Sequence, residues 1–117
     1  MTDDLMAWLG PAAADLTPEQ IDRVRTEAAA IRRRYPDPDE QPERDAALSA
    51  VVQYLLGEFG PGDAARALID ARRREQEAVA AATWVGVMLV REGAAKTAAA
   101  AAAGIDRMTL LKALGER

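Results

Sequence analysis

Residues 95–115 read AKTAAAAAAGIDRMTLLKALG: an alanine run, a glycine, and a second short apolar segment behind an aspartate. The six consecutive alanines that end at Ala103 are the strongest helix formers available, and they predict a helix over 94–103 by propensity alone. Gly104 breaks that helix and supplies the positive φ of a tight turn. Asp106 can cap the next segment, so Arg107 to Leu114 forms a last helix that ends before Gly115. Two short helices meeting at a glycine predict an all-α chain. Nothing upstream argues otherwise, because no segment alternates apolar and polar residues and aromatics are only 4% of the sequence, which leaves strands without their usual signal.

Moving outward toward the N-terminus, Gly93 closes the preceding helix. From Asp63 to Glu92 only Gly86 interrupts, so this stretch is either one helix of roughly 30 residues, ~45 Å long at 1.5 Å per residue, or two helices meeting near Arg74. Its polar block RRREQE, Arg72 to Glu77, cannot be buried on all sides, which predicts a helix crossing solvent or lying along a partner chain. Gly60-Pro61-Gly62-Asp63 reads as a turn with Asp63 capping the next helix. A third helix is predicted from Glu43 to Leu56, with Ala47, Leu48, Val51, Val52, Leu55 and Leu56 on one face. The prolines at 36, 38 and 42 predict an irregular linker before it. Thr17-Pro18-Glu19-Gln20 carries a capping box with proline at the first helical position, and Ile21, Val24, Ala28 and Ile31 repeat at helical spacing up to Arg32-Arg33-Arg34. A short first helix spans about Asp3 to Leu9 and stops at Gly10-Pro11.

Of the 117 residues, 58 are hydrophobic and 27 of those are alanine, leaving 31 larger apolar side chains, a thin supply for a core. One domain, or a small domain with an appended module, is the expectation. With neither cysteine nor histidine, disulfides, zinc fingers and histidine-dependent hydrolases are excluded. The net charge of -4 is unevenly spread: residues 1–60 hold 6 arginines against 12 acids, whereas residues 91–117 hold 5 bases against 3 acids. An acidic front and a basic back result, and both lysines, Lys96 and Lys112, lie in the back. The longest apolar run, Ala78 to Val90, is 13 residues, short of the ~20 that a membrane-spanning helix needs. The acidic start MTDD is unlike a secretory signal, so a cytoplasmic protein without membrane contact is expected.

The segment from Lys96 to Gly115 resembles the helix-turn-helix of bacterial DNA-binding proteins. A small residue four before the turn glycine, an apolar residue after it and apolar residues six and nine beyond it correspond to Ala100, Gly104, Ile105, Leu110 and Ala113. The Fis-like variant of the motif is the nearest, matched by Gly104, Ile105, Arg107, Thr109, Leu110, Lys112 and Leu114, and by Thr97, Ala99 and Ala100 in the helix before. Leu111 and Ala113 stand where that variant is usually basic. The helices read along the chain predict a bundle of five to six, and the resemblance implies that it ends in a C-terminal helix-turn-helix whose last helix reads the major groove of double-stranded DNA. It puts Asp106 and Arg107 at base-reading sites, with Arg107 suited to a bidentate contact to guanine. Thr109 and Lys112 then lie beside phosphates, and Arg91, Lys96, Thr97 and Arg117 would also serve the backbone. Met108 and Leu111 meet thymine methyls or pack against protein.

The expected organisation is an acidic helical region over 1–60, a connecting helix over 61–92 and the DNA-binding motif over 93–117. A homodimer is expected from the thin core, joined through Val51, Val52, Leu55 and the Ala78 to Val90 run. The main alternative is a helical protein-interaction module whose terminal hairpin is purely structural. No cofactor, metal or catalytic residue is expected: no acid sits in an apolar context and no phosphate-cradling glycine loop occurs. Asp37, Asp39, Glu40, Glu43 and Asp45 lack the glycine and spacing of a calcium loop, and read as a solvated linker. Arg32 to Arg34 reads as an exposed helix end, and Trp84, Val87 and Met88 as a core or interface stripe.

Overall fold

The computed structural model describes residues 4–116, and among these every regular element is helical. In order they are α1 (Asp4–Leu9), α2 (Pro18–Arg34), α3 (Gln41–Leu55), α4 (Pro61–Arg91), α5 (Lys96–Ala103) and α6 (Arg107–Ala113). The chain divides into two compact units, residues 1–64 and 65–117, so the second begins inside α4 and includes all of that helix after its first turn. No helix among the described residues is long and apolar enough to cross a membrane.

In the first unit α2 begins as its sequence dictates. The Gln20 N–H donates to the Thr17 hydroxyl at 3.1 Å, and the Thr17 N–H donates to the Gln20 side-chain oxygen at 2.9 Å, closing the capping box. The Gln20 side-chain amide also donates to the Leu55 carbonyl at 3.1 Å, tying the start of α2 to the end of α3. Leu9, Leu16, Val24 and Val52 are buried together, with Ile21, Leu48, Val51, Leu55 and Leu56 packed around them.

Three boundaries differ from those the sequence predicts, and proline explains each. Gly10-Pro11 ends α1, but the chain continues as a 3-10 helix over Gly10–Asp15. Pro38–Glu40 forms another 3-10 turn, and α3 starts at Gln41 with Pro42 in its first turn, where a missing N–H costs nothing. The 35–40 linker is therefore shaped rather than irregular: the Arg44 guanidinium donates to the carbonyls of Tyr35 and Asp37, the latter at 2.7 Å. α4 likewise begins at Pro61, not Asp63. Asp63 is its third residue and reaches back to accept the Gly60 N–H at 2.9 Å.

α4 is a single 31-residue helix with no break at Arg74. The RRREQE block is exposed on every side, so nothing there forces a bend. In the second unit Val87, Ala99, Ala100 and Leu110 form the buried cluster, supported by Leu89, Val90, Ala94, Ile105, Ala113 and Leu114.

Candidate nucleic-acid interface

The turn between α5 and α6 is set by one residue. Gly104 has φ +75°, its N–H donates to Ala101 O at 3.2 Å, and the next N–H, of Ile105, donates back to Ala100 O at 3.0 Å. This pair of bonds satisfies the last carbonyls of α5 while reversing the chain. Asp106 then caps α6, accepting the Thr109 N–H at 2.7 Å. That backbone hydrogen bond, then the Thr109 side-chain hydrogen bond, and more weakly the charge of Lys112, hold the Asp106 carboxyl below the usual carboxylate range.

α5 and α6 pack on the C-terminal half of α4 through small residues. Ala99 and Ala100 are buried to 1% and 3% exposure. On α4, Gly86 has so little room that a Cβ built there would lie 3.3 Å from Leu110 Cδ1 and 3.4 Å from Ile105 Cδ1. In the sequence Gly86 reads only as a possible interruption of the helix; its role as a contact residue has no signature in one sequence.

The residues picked from the resemblance are placed unevenly. Arg107, Lys112 and Thr97 are exposed, Met108 is 53% exposed, and Thr109 is half-buried. Met108 and Lys112 lie one turn apart on the outward face of α6. Arg91 is exposed at the last position of α4. Arg117 lies outside the described residues. Leu111, at 6% exposure, belongs to the buried face of α6, which is the second of its two expected settings, packing against protein. In a seven-residue helix that buries Leu110, the adjacent leucine is drawn in with it, leaving Met108 as the exposed apolar residue on α6.

Lys96 is half-buried and not free. Its ammonium forms an ion pair with the Glu116 carboxylate, both side chains roughly 40% exposed. Nothing in the sequence marks Glu116, because a pair separated by 20 positions exists only once α6 has folded back along α5. The Glu116 N–H donates to Leu111 O at 2.8 Å and holds the tail in place.

The apolar run 78–90 also divides. Thr83, Gly86 and Val87 are buried, whereas Trp84, Val85 and Met88 are 53%, 56% and 47% exposed. Of the other residues expected at a dimer contact, Val52 is 6% exposed and Val51 and Leu55 pack beside it, so they serve the core of their own unit. A groove of about 370 Å³ next to them is lined by Arg23, Glu27, Val51, Tyr54, Leu55 and Phe59. No group of three acidic side chains among the described residues is placed to hold a metal ion. Comparisons with protein-family models, with curated proteins and with solved structures find no match to this chain.

Proposed function

We propose that this chain is a small DNA-binding protein, a dimeric transcriptional regulator or nucleoid-associated factor that lays α6 in the major groove of double-stranded DNA. The observation that carries the reading is the register of the terminal segment. Ala99, Ala100 and Leu110 turn inward with Val87, Gly104 takes the left-handed turn, and Arg107, Met108 and Lys112 on the same short helix stay accessible. Arg107 at the start of α6 is the base reader, while Lys112, Thr97 and Lys96 position the backbone.

A mobility-shift titration on duplex fragments at increasing salt tests this. Binding weakens steeply with salt, Arg107→Ala erodes sequence preference by about 1–3 kcal/mol at the base it reads, and Lys112→Ala lowers affinity for all sequences alike and reduces the salt slope by about one. Absence of binding at low salt refutes the reading. One observation favours the alternative of a protein-interaction module: Glu116 already neutralises Lys96, one of the few cations on this surface. Under that reading no fragment binds, and Arg107→Ala changes nothing.

A further inference from the structure

We propose that the exposed stripe Glu77, Ala80, Trp84, Met88 and Arg91 of α4 is a self-pairing face, on which a second copy of this chain docks antiparallel with the two Trp84 side chains meeting at the two-fold axis. The inference rests on the dimeric part of the proposed function and names its surface.

The stripe is symmetric about Trp84 in a way a two-fold axis requires. Seven residues are close to two helical turns, so Glu77 and Arg91, each seven positions from Trp84, lie on its face at equal distances on either side. An antiparallel second helix crossing at Trp84 brings Glu77 of each copy beside Arg91 of the other, two opposite-charge pairs flanking an apolar centre. Four positions out on either side stand Ala80 and Met88, so the large side chain of one copy meets the small one of the other. A parallel arrangement instead sets Glu77 on Glu77 and Arg91 on Arg91. An isologous interface is self-complementary in this sense.

Among the described residues the stripe is also open to solvent. Trp84 and Met88 are about half exposed, and Glu77, Ala80 and Arg91 are exposed, although Val87 on the neighbouring face of the same helix is fully buried. An exposed tryptophan beside an exposed methionine, rimmed by charge, has the composition of an interface centre. The pairing assigns Arg91 to the second copy's Glu77 rather than to a phosphate.

Sedimentation velocity of the full chain across a dilution series is the test. The wild type is expected to reach about twice its 12.5 kDa mass. Trp84→Ala is expected to be monomeric where the wild type is dimeric, with an unchanged circular dichroism spectrum. Glu77→Arg is expected to weaken association by about tenfold or more through like charges, and Glu77→Arg with Arg91→Glu to restore most of it. Direction is read from disulfides, since the chain has no cysteine of its own. Ala80→Cys and Met88→Cys proteins are expected to cross-link when mixed and not when oxidised separately. Cross-linking of each alone overturns the antiparallel pairing. A wild-type dimer indifferent to Trp84→Ala and Glu77→Arg overturns this face while leaving the dimer standing. A wild type monomeric at every concentration overturns both, and leaves DNA binding to be judged by its own assay.

Discussion

Gly86 offers a quantitative test of how the second unit is packed. Glycine in a helix interior costs about 1 kcal/mol relative to alanine, so Gly86→Ala at a free surface would stabilise by that amount. Here the new Cβ lies 3.3 Å from Leu110 Cδ1, 3.4 Å from Ile105 Cδ1 and 3.7 Å from Ala103 Cβ. The two nearest atoms are ends of flexible side chains, which can yield by a few tenths of an ångström. The crowding therefore offsets most of the propensity gain, and Gly86→Ala is expected within about 0.5 kcal/mol of wild type, the small remainder of two opposing terms of order 1 kcal/mol each. Gly86→Val adds two further carbons with one preferred rotamer in a helix, and they have nowhere to go without displacing Leu110. Overpacking of that kind costs about 1–3 kcal/mol. Urea unfolding followed by circular dichroism, with Ala81→Gly as the propensity reference at an exposed position of the same helix, reads these differences. A Gly86→Ala protein that gains the whole propensity difference measured at position 81, or a Gly86→Val protein as stable as wild type, refutes the close approach of α4 and α6.

Other consequences rest on single contacts. Thr17→Ala removes the side-chain half of the capping box and is expected to cost about 1 kcal/mol, read as a lowered thermal midpoint, whereas Thr17→Ser is close to neutral. Arg44→Met frees the carbonyls of Tyr35 and Asp37 and is expected to destabilise by about 1.5–3 kcal/mol, with amide exchange rising over residues 35–40. Because the carboxyl of Asp106 is held below its ordinary value in the folded chain, its ionised form contributes stability at neutral pH that is lost as pH falls below about 4 and through the lowered folded value. A gap in thermal midpoint between wild type and Asp106→Asn at pH 7 is accordingly expected to close in acid. A gap that persists there shows that the charge of Asp106 is not what stabilises the start of α6.

Much of this fold was legible because its signals are local. Thr17-Pro18-Glu19-Gln20, Gly104 and Asp106 act on their own few residues, and the structure places each in the role its chemistry predicts. The proline boundaries were less legible, because a proline excludes itself from a helix interior but not from a first turn, and Pro42 and Pro61 both sit in one. The continuity of α4 through Arg74 was undecidable from pattern alone: a fully solvated helix has no apolar periodicity to read. On the interface, residue type identified Arg107 and Lys112 as accessible cations. It could not say which way Leu111 faces, since in α6 Met108 and Leu111 are equally apolar and only their burial in the folded chain separates them. Glu116 and Gly86 were out of reach for the same reason, since each matters through a partner distant in sequence.

Binding-site selection from a genomic fragment library at low and physiological salt, with wild type and Arg107→Ala in parallel, tests DNA recognition by α6 most directly. Wild type is expected to enrich a two-fold symmetric site with half-sites about 10 base pairs apart or a multiple of that, and Arg107→Ala to retain DNA binding but lose the enrichment at one base of each half-site. No enrichment over input at either salt, or an enriched sequence unchanged by Arg107→Ala, would contradict recognition by α6.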